Sequence, residues 1–130
     1  MNKREIKFRV WDIKKEKLLN DGQWDIIALT LDGYLIKVST AEYSSSAYDY
    51  DDENKVIMQF TGLKDKKGKE IYEGDIVNGC SFLGSHAYGI VEYHNDQFLV
   101  VPIGRFIEGT SDITTWCEVI GNIYENTELL

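Results

Sequence analysis

The chain has 130 residues, of which 43% are hydrophobic and 12% aromatic, a composition that supports an ordinary core without disulfides or metal. Its formal net charge of −8 gives an overall field that opposes contact with nucleic-acid phosphates. No apolar run approaches the ~20 residues of a membrane span or forms a secretory signal, so we expect a cytoplasmic protein with reduced cysteines and no membrane contact.

The N-terminal segment alternates two sets of side chains with the period of two that is typical of a β-strand. The two sets are Ile6, Phe8 and Val10, and Lys7, Arg9 and Trp11. This alternation predicts a first strand whose buried face is formed by Ile6, Phe8 and Val10. A charged turn is predicted to follow at Asp12–Lys17.

A hairpin is predicted where two apolar runs flank an Asp-Gly pair. Trp24–Leu31 precedes Asp32 and Gly33, and apolar alternation resumes at Tyr34. Asp-Gly is typical of a type I′ turn, because both central residues of that turn need a positive φ. The pair therefore predicts a two-residue turn between two strands.

Residues 41–54 break the alternation. The segment is rich in serine and acidic residues and carries three tyrosines, which predicts an exposed and mobile loop. It is also the best internal boundary of the chain. We therefore divide the single domain of residues 1–130 into candidate subdomains 1–55 and 56–130.

The C-terminal half is predicted to contain strands separated by tight turns. Alternation restarts at Val56, and turns are predicted at Lys64–Lys69 and Glu73–Asp75. Asn78–Gly89 contains three glycines and is predicted to be loop-like. Apolar runs on both sides of His94–Gln97 predict another hairpin.

The end of the chain is predicted to contain one strand and one helical turn. A polar connection over Gly104–Thr115 leads to a last strand at Trp116–Tyr124, with a turn or bulge at Gly121. The final residues, Glu125–Leu130, are predicted to form one helical turn capped by Asn126.

Three segments resemble the YopX family, which is found mostly in phages and prophages of Gram-positive bacteria. They are Ile6–Asp12, the most specific signature Met58–Val77, and the closing motif Glu118–Leu130. The segments occur in the family's order and bracket nearly the whole chain. Thr127 departs from the family pattern, because a proline is expected there, and the loss of a fixed φ should loosen the terminal turn slightly.

The resemblance implies a mainly β chain that is small-barrel-like in its C-terminal half. With the elements predicted above, we expect small barrel-like antiparallel sheets, as one domain or two intertwined subdomains, with a short C-terminal helical turn. The resemblance also implies a phage-related context and favours a homo-oligomer, so the expected cytoplasm is that of a bacterial host. It implies no substrate, no cofactor and no catalytic residue, because the family has no firmly assigned biochemistry.

The residues suited to metal or nucleophilic chemistry are widely spaced in the sequence. Cys80, His86, His94 and Cys117 are separated by six, eight and twenty-three residues, and none forms the close pair typical of a chelating turn. We therefore expect buried, unbridged thiols, no metal site, no cofactor and no enzyme. A Cys–His dyad that uses Cys80, in its glycine-rich segment, is the alternative.

Tyrosine and aspartate side chains in the predicted loop are the favoured partner-binding residues. The candidates are Tyr43, Tyr48, Tyr50, Asp51 and Asp52. Tyrosine brings a large contact area at low entropic cost, which suits an interface with another protein, such as a host factor. A solvated loop that binds nothing is the simpler interpretation.

The basic N-terminal strand supports an alternative function. Lys7, Arg9 and Trp11 together resemble a platform on which nucleic-acid bases stack. The simpler interpretation is that these side chains cover the sheet or pair with acidic segments. Residues 1–20 carry a net charge of +4, and residues 21–57 and 76–130 carry −6 each, so we also expect self-association.

Overall fold

A computed structural model describes residues 4–19, 25–39, 46–49, 53–104, 106–114 and 116–130, with the backbone alone at 25–27, 37–39 and 46–49. The described elements are β1 (Phe8–Asp12), β2 (Lys17–Leu18), β3 (Asp25–Leu29), β4 (Leu35–Ser39), β5 (Ser46–Asp49), β6 (Lys55–Lys64), β7 (Glu70–Tyr72), β8 (Asp75–Phe82), β9 (Ser85–His94), β10 (Gln97–Pro102), β11 (Glu118–Asn122) and a 3₁₀ turn (Thr127–Leu129). The prediction of a mainly antiparallel β fold with a short C-terminal helical turn is confirmed. No helix among the described residues is long and apolar enough to cross a membrane.

The strands form three sheets, with the orders β2-β1-β6-β7, β10-β9-β8-β11 and β3-β4-β5. The chain divides into two compact units, which are Met1–Arg9 with Met58–Leu130, and Val10–Ile57. The sequence-based division at residue 55 instead grouped residues 1–9 with the N-terminal part. We call Met1–Arg9 with Met58–Leu130 the larger unit.

The core of the larger unit lies on one face of the β10-β9-β8-β11 sheet. Its buried side chains come from β7, β8, β9, β10 and the residue before β11, and they are Ile71, Val77, Cys80, Phe82, Val91, Val100 and Cys117. Partly buried residues of the connection between β10 and β11, Ile107 and Ile113, pack against this cluster. The connection therefore covers the core.

The prediction of a loop at Asn78–Gly89 is wrong, because most of this segment belongs to the β8–β9 hairpin. Two of its three glycines, Gly79 and Gly89, allow close packing. At Gly89, a side chain would collide with Val100, and its Cβ would lie 3.0 Å from the ring of Phe82. At Gly79, with φ +90°, the register shifts between Val77 and Cys80, so the strand absorbs a bulge and continues.

Two other expectations in the smaller unit change. The β3–β4 hairpin is confirmed, but its turn has three residues, because the Thr30 N–H donates to the Tyr34 carbonyl. Gly33 has a φ of +93° and Asp32 is not in the left-handed region, so the turn is not type I′. Within the predicted loop, residues 46–49 form β5 and pair with β4.

The predicted buried face of the first strand is wrong in part. Val10 is buried, but Ile6 is 64% exposed and Phe8 is 42% exposed. Arg9 is half-buried, and Trp11 and Asp12 are buried. The alternation identified the strand. The charged side chains on its other face, Lys7 and Arg9, are partly buried because each is paired with a carboxylate, Glu70 and Asp75.

The edge of the sheet at β10 is partly covered. The hairpin between β9 and β10 is confirmed, with His94 opposite Gln97. Val100 and Ser111 exchange backbone hydrogen bonds of 2.7 and 2.9 Å, and Pro102 ends the strand. The predicted bulge in the last strand is also confirmed, because the pairing of β11 with β8 shifts between Val119 and Gly121.

The buried carboxylate of Asp65 joins the turn after β6 to β11. Its Oδ1 accepts hydrogen bonds from the backbone N–H groups of Lys67 and Lys69, at 2.8 and 2.9 Å. Its Oδ2 accepts one from the N–H of Val119, at 2.9 Å. Burial opposes ionisation of this group, but the three N–H donors outweigh it and hold the pKa of Asp65 below its usual value.

Gly79→Ala should destabilise the protein far more than Gly84→Ala. Both glycines have a φ near +90°, but a Cβ on Gly79 would lie 2.5 Å from the carbonyl oxygen of Trp116, and one on Gly84 would meet open space. We expect a loss of about 3 kcal/mol or more for Gly79→Ala, and about 1–2 kcal/mol for Gly84→Ala from backbone strain alone. Urea unfolding measures the loss of stability in both variants. Equal losses would contradict the close approach of Gly79 to the carbonyl oxygen of Trp116.

Asp65→Asn should destabilise the protein by about 2 kcal/mol at pH 7, because an amide cannot accept all three N–H bonds. Folding lowers the pKa of Asp65, so its ionised carboxylate contributes to the stability of the folded protein. This contribution is fully present above the unfolded pKa of about 3.9 and is lost as pH falls through the pKa of the folded protein. The difference in the free energy of unfolding between the variant and the parent, measured with urea, should therefore decrease below about pH 4.

Asp96→Asn is the matched control for this experiment, because Asp96 is an exposed carboxylate in the β9–β10 turn. Its effect should stay within about 0.5 kcal/mol at pH 7. The role of the Asp65 charge would be contradicted if Asp65→Asn lowered the free energy of unfolding by the same amount at neutral and at acid pH.

Candidate functional site

An ion pair between Arg9 and Asp75 joins two segments of the larger unit. Nη2 of Arg9 lies 2.6 Å from Oδ1 of Asp75 and donates to the carbonyl oxygen of Glu73 at 3.3 Å. The guanidinium also lies over the ring of Tyr72, 4.8 Å from its centroid. Oδ2 of Asp75 accepts a hydrogen bond from the Tyr72 N–H at 2.8 Å. The pair fixes the Glu73–Gly74 turn that leads into β8.

The ion pair between Arg9 and Asp75 is largely shielded from solvent. Asp75 is 1% exposed, and burial raises the pKa of its carboxyl even though the charge of Arg9 acts in the opposite direction. Among the described residues, Nε of Arg9 is a buried nitrogen with no hydrogen-bond partner. A buried ion pair of this kind specifies one arrangement of the chain, and removing either partner alone is costly.

Lys7 is held by carboxylates of the same unit. Its Nζ lies 2.8 Å from Glu5 and 3.0 Å from Glu70, and it sits over the ring of Phe60 at 5.6 Å from the centroid. Hydrogen bonds to Glu5 and then to Glu70 raise the pKa of Lys7. The structure thus places Lys7 and Arg9, two of the predicted nucleic-acid residues, in ion pairs, and it buries the third, Trp11.

The predicted partner-binding residues lie largely outside the described residues. Tyr43, Tyr50, Asp51 and Asp52 are in this group. Tyr48 is described by its backbone alone, in β5, where it pairs with Lys37 of β4. Their role in binding stays a prediction.

Asparagine side chains organise the closing motif. Oδ1 of Asn122 accepts the N–H groups of Tyr124 and Glu125, at 3.0 and 2.8 Å. Oδ1 of Asn126 accepts the N–H of Asn122 at 3.1 Å, so it does not cap the 3₁₀ turn as predicted. With Asp65 and Asp75, these are motif side chains that bind backbone N–H groups and stabilise turns.

The two thiols are buried next to each other. Sγ of Cys80, in β8, lies 2.9 Å from Sγ of Cys117, which precedes β11. The hydroxyl of Thr114 lies 3.5 Å from Sγ of Cys117. The predicted loop position of Cys80 is wrong, because its strand directs it into the core.

The histidines lie apart from the thiols in this arrangement. His86 pairs with Ser81 across the β8–β9 hairpin, and both are exposed, whereas Cys80 is buried. Nε2 of His94 lies 2.6 Å from a carboxylate oxygen of Glu92. Within the described ranges, no group of three His, Cys, Asp or Glu side chains is placed to hold a metal ion.

A shallow crevice of about 260 Å³ opens beside the β9–β10 turn. It is lined by Arg4, Gln59, Glu73, Tyr93, Asp96, Gln97 and Phe98. The carboxylate of Glu73 is engaged by the N–H of Gln59 at 2.9 Å. The volume is below the range of about 300–1,000 Å³ for ligand pockets, and its lining is polar, so it offers little enclosure to a small molecule.

Large apolar side chains are exposed on and beside the connection between β10 and β11. Leu83, Phe106 and Trp116 are 84%, 96% and 76% exposed; we call these three residues the outer apolar surface. Gly109 of the connection packs close to Leu83, and the backbone of Trp116 lies against Gly79. The sequence predicted a polar connection at Gly104–Thr115, which includes Phe106, and placed Trp116 at the start of the last strand, whereas β11 begins at Glu118.

The comparison with protein families gives one match, to the family described as YopX protein, over residues 7–130. Among solved structures, protein EF1440 from Enterococcus faecalis is 25% identical, with a TM-score of 0.61 over 98% of this chain and 99% of that chain. Protein yopX from Bacillus subtilis is also 25% identical, with a TM-score of 0.57 over 95% of this chain and 96% of that chain. The comparison with curated proteins found no match.

These matches fit the geometry described above. The family match includes the ion-paired Lys7 and Arg9, the buried Asp65 and Asp75, and the closing Asn122. The two solved structures resemble the chain over nearly its whole length, so the likeness is not confined to one sheet. The resemblance noted in the sequence is confirmed, and the chain belongs to the YopX family.

Proposed function

We propose that this chain is a non-catalytic protein-binding module that self-associates through the outer apolar surface. The observation that carries the proposal is the exposure of Leu83, Phe106 and Trp116 on and beside the connection between β10 and β11. Exposed apolar groups of this size are typical of interfaces, and burial of each such side chain contributes roughly 1.5–3 kcal/mol. Aromatic residues of this kind dominate the energetics of many protein interfaces.

The way the connection is held supports its use as a contact surface. Ile107 and Ile113 pack against the core, and Ser111 is bonded to Val100 of β10. These contacts hold the part of the connection from Ile107 to Ile113, next to Phe106, against the core. Aromatic side chains on a fixed backbone lose little further entropy on binding.

The absence of catalysis is part of the proposal, and the polar groups of the family motifs support it. The buried polar residues of the described part of the larger unit are Thr61, Asp65, Asp75 and Asn122. Each of them is bound to backbone groups or to Arg9. Side chains that are used in this way stabilise turns and have little capacity left for a substrate.

Nucleic-acid binding by Lys7, Arg9 and Trp11 stays a prediction. It would require Lys7 to leave Glu5 and Glu70 and Arg9 to leave Asp75. Freeing Arg9 would also leave a buried carboxylate unpaired, which is costly. No contact of the described residues favours this function over protein binding.

Phe106→Ser with Trp116→Ser should weaken self-association at least tenfold, because both side chains lose their apolar contact area. Sedimentation equilibrium of the parent and the variant over a range of concentrations measures this change. The matched control is Leu31→Ser with Tyr34→Ser, which replaces exposed apolar residues of the β3–β4 turn that are 110% and 62% exposed. The control should associate like the parent.

A parent protein that sediments as a monomer at every salt concentration would overturn the self-association part of this proposal. Capture of partners from bacterial lysate, with and without nuclease, then separates the remaining possibilities. Partners that survive nuclease and are lost in Phe106→Ser/Trp116→Ser support protein binding by this surface. Partners that disappear with nuclease would favour the nucleic-acid alternative.

A further inference from the structure

We propose that Cys80 and Cys117 form an oxidation site, at which hydrogen peroxide converts the two thiols into a disulfide within one chain. The two sulfur atoms lie 2.9 Å apart in the core of the larger unit. The bond length of a disulfide is about 2.05 Å, so a displacement of less than about 1 Å is sufficient to join them. The residues are far apart in the sequence, so their approach is a product of the fold.

The surroundings assign different roles to the two thiols. Cys117 has the Thr114 hydroxyl 3.5 Å from its sulfur, in addition to the thiol of Cys80. The contact with Cys80 and, after the opposing effect of burial, the Thr114 hydroxyl hold the pKa of the Cys117 thiol below its usual value. The contact with Cys117, followed by burial, raises the pKa of Cys80, and a hydrogen bond with the Ser111 hydroxyl acts in the opposite direction. Cys117 also lies beside the exposed residues Thr114 and Trp116, whereas Cys80 lies inside β8, so we assign Cys117 as the thiol that reacts first and Cys80 as the resolving thiol.

Access to Cys117 requires only a local change. The residue is fully buried, but Thr114, which contacts its sulfur, and Trp116, which precedes it, are exposed. The turn at Thr114 is closed by a hydrogen bond of 3.2 Å from the Cys117 N–H to the Thr114 carbonyl. The carbonyl of Cys117 is held separately by the N–H of Lys66 at 3.0 Å. A local fluctuation that breaks the bond between Cys117 and Thr114 is therefore enough to admit a water-sized oxidant, while the bond to Lys66 keeps the Cys117 backbone in place.

The reaction balances in two steps. The Cys117 thiolate attacks one oxygen of hydrogen peroxide, the O–O bond breaks, and sulfenic acid and hydroxide form. The sulfur of Cys80 then attacks the sulfenic sulfur, the S–O bond breaks, and the leaving hydroxide takes the proton of Cys80 as water. The two sulfur atoms lose two electrons in total, and the peroxide is reduced to water and hydroxide. The proton first released by Cys117 neutralises that hydroxide.

The test uses the full chain, reduced with a dithiol and freed of reductant, and then treated with increasing hydrogen peroxide. Intact mass spectrometry after alkylation under denaturing conditions should show both thiols lost together, with the loss of two hydrogen atoms from the mass. Cys80→Ser should stop at a sulfenic acid on Cys117 that a carbon nucleophile traps. Cys117→Ser should leave Cys80 as a free thiol at the same peroxide concentration.

Thr114→Val is a second variant that changes an exposed residue and should leave the fold intact. It should slow the first step by roughly two- to tenfold near neutral pH, because the thiolate loses a hydroxyl donor. The rate for the parent should rise with pH and level off below about pH 8.5, where an ordinary thiol ionises, because the pKa of the Cys117 thiol is lowered. A wild-type rate in Thr114→Val would overturn the assignment of Cys117 as the first thiol to react.

Two results would overturn the oxidation site itself. One is survival of both thiols at peroxide concentrations that oxidise an exposed cysteine introduced by His86→Cys in the double variant Cys80→Ser/Cys117→Ser. The other is a product in which the bridge joins two chains, visible as a dimer under denaturing, non-reducing conditions. Trp116 also belongs to the outer apolar surface, so the peroxide titration is made at a protein concentration at which the chain is monomeric. The outcome then does not depend on self-association, and this proposal and the proposed function are tested separately.

Discussion

The larger unit depends on buried side-chain oxygens that accept hydrogen bonds from backbone N–H groups in turns. Asp65 accepts three such bonds and so ties the turn after β6 to Val119 of β11. Asp75 accepts one from Tyr72 and binds Arg9 from the N-terminal segment. When strands are short, much of the chain lies in the turns between them, where backbone N–H groups have no hydrogen-bond partner in a neighbouring strand. Carboxylates and amides supply those partners, and they bring distant segments to fixed positions.

Much of this fold was predictable from local patterns. Alternating apolar residues identified most strands, and Asp-Gly and His94–Gln97 identified two hairpins, because turn chemistry is local. Asn78–Gly89 was misassigned because two of its glycines are required by contacts with residues far along the chain. A side chain at Gly89 would collide with Val100, and one at Gly79 would approach the carbonyl oxygen of Trp116. Neither Val100 nor Trp116 lies in the segment, so its local pattern does not reveal these contacts.

The candidate sites were harder to predict, because their partners lie far apart along the chain. Lys7 pairs with Glu70 and Arg9 with Asp75, and each separation exceeds sixty residues. The spacing of Cys80 and Cys117 likewise gave no sign that their sulfur atoms touch. The sequence showed aromatic residues at 106 and 116, but only the packing of Ile107 and Ile113 distinguishes the inner face of that connection from its outer one.

The cover over β10 has a consequence for the edge of the sheet. The backbone N–H and C=O of Val100 point away from β9 toward the edge of the sheet. The backbone groups of Phe98 and Pro102, two residues to either side, therefore point the same way. Val100 is already bonded to Ser111 through both of its backbone groups, and Pro102 has no N–H. Of these three positions, Phe98 alone keeps an N–H available to an incoming strand. Growth of the sheet from this edge by β-addition is thus discouraged, which lowers the tendency of the chain to form fibres.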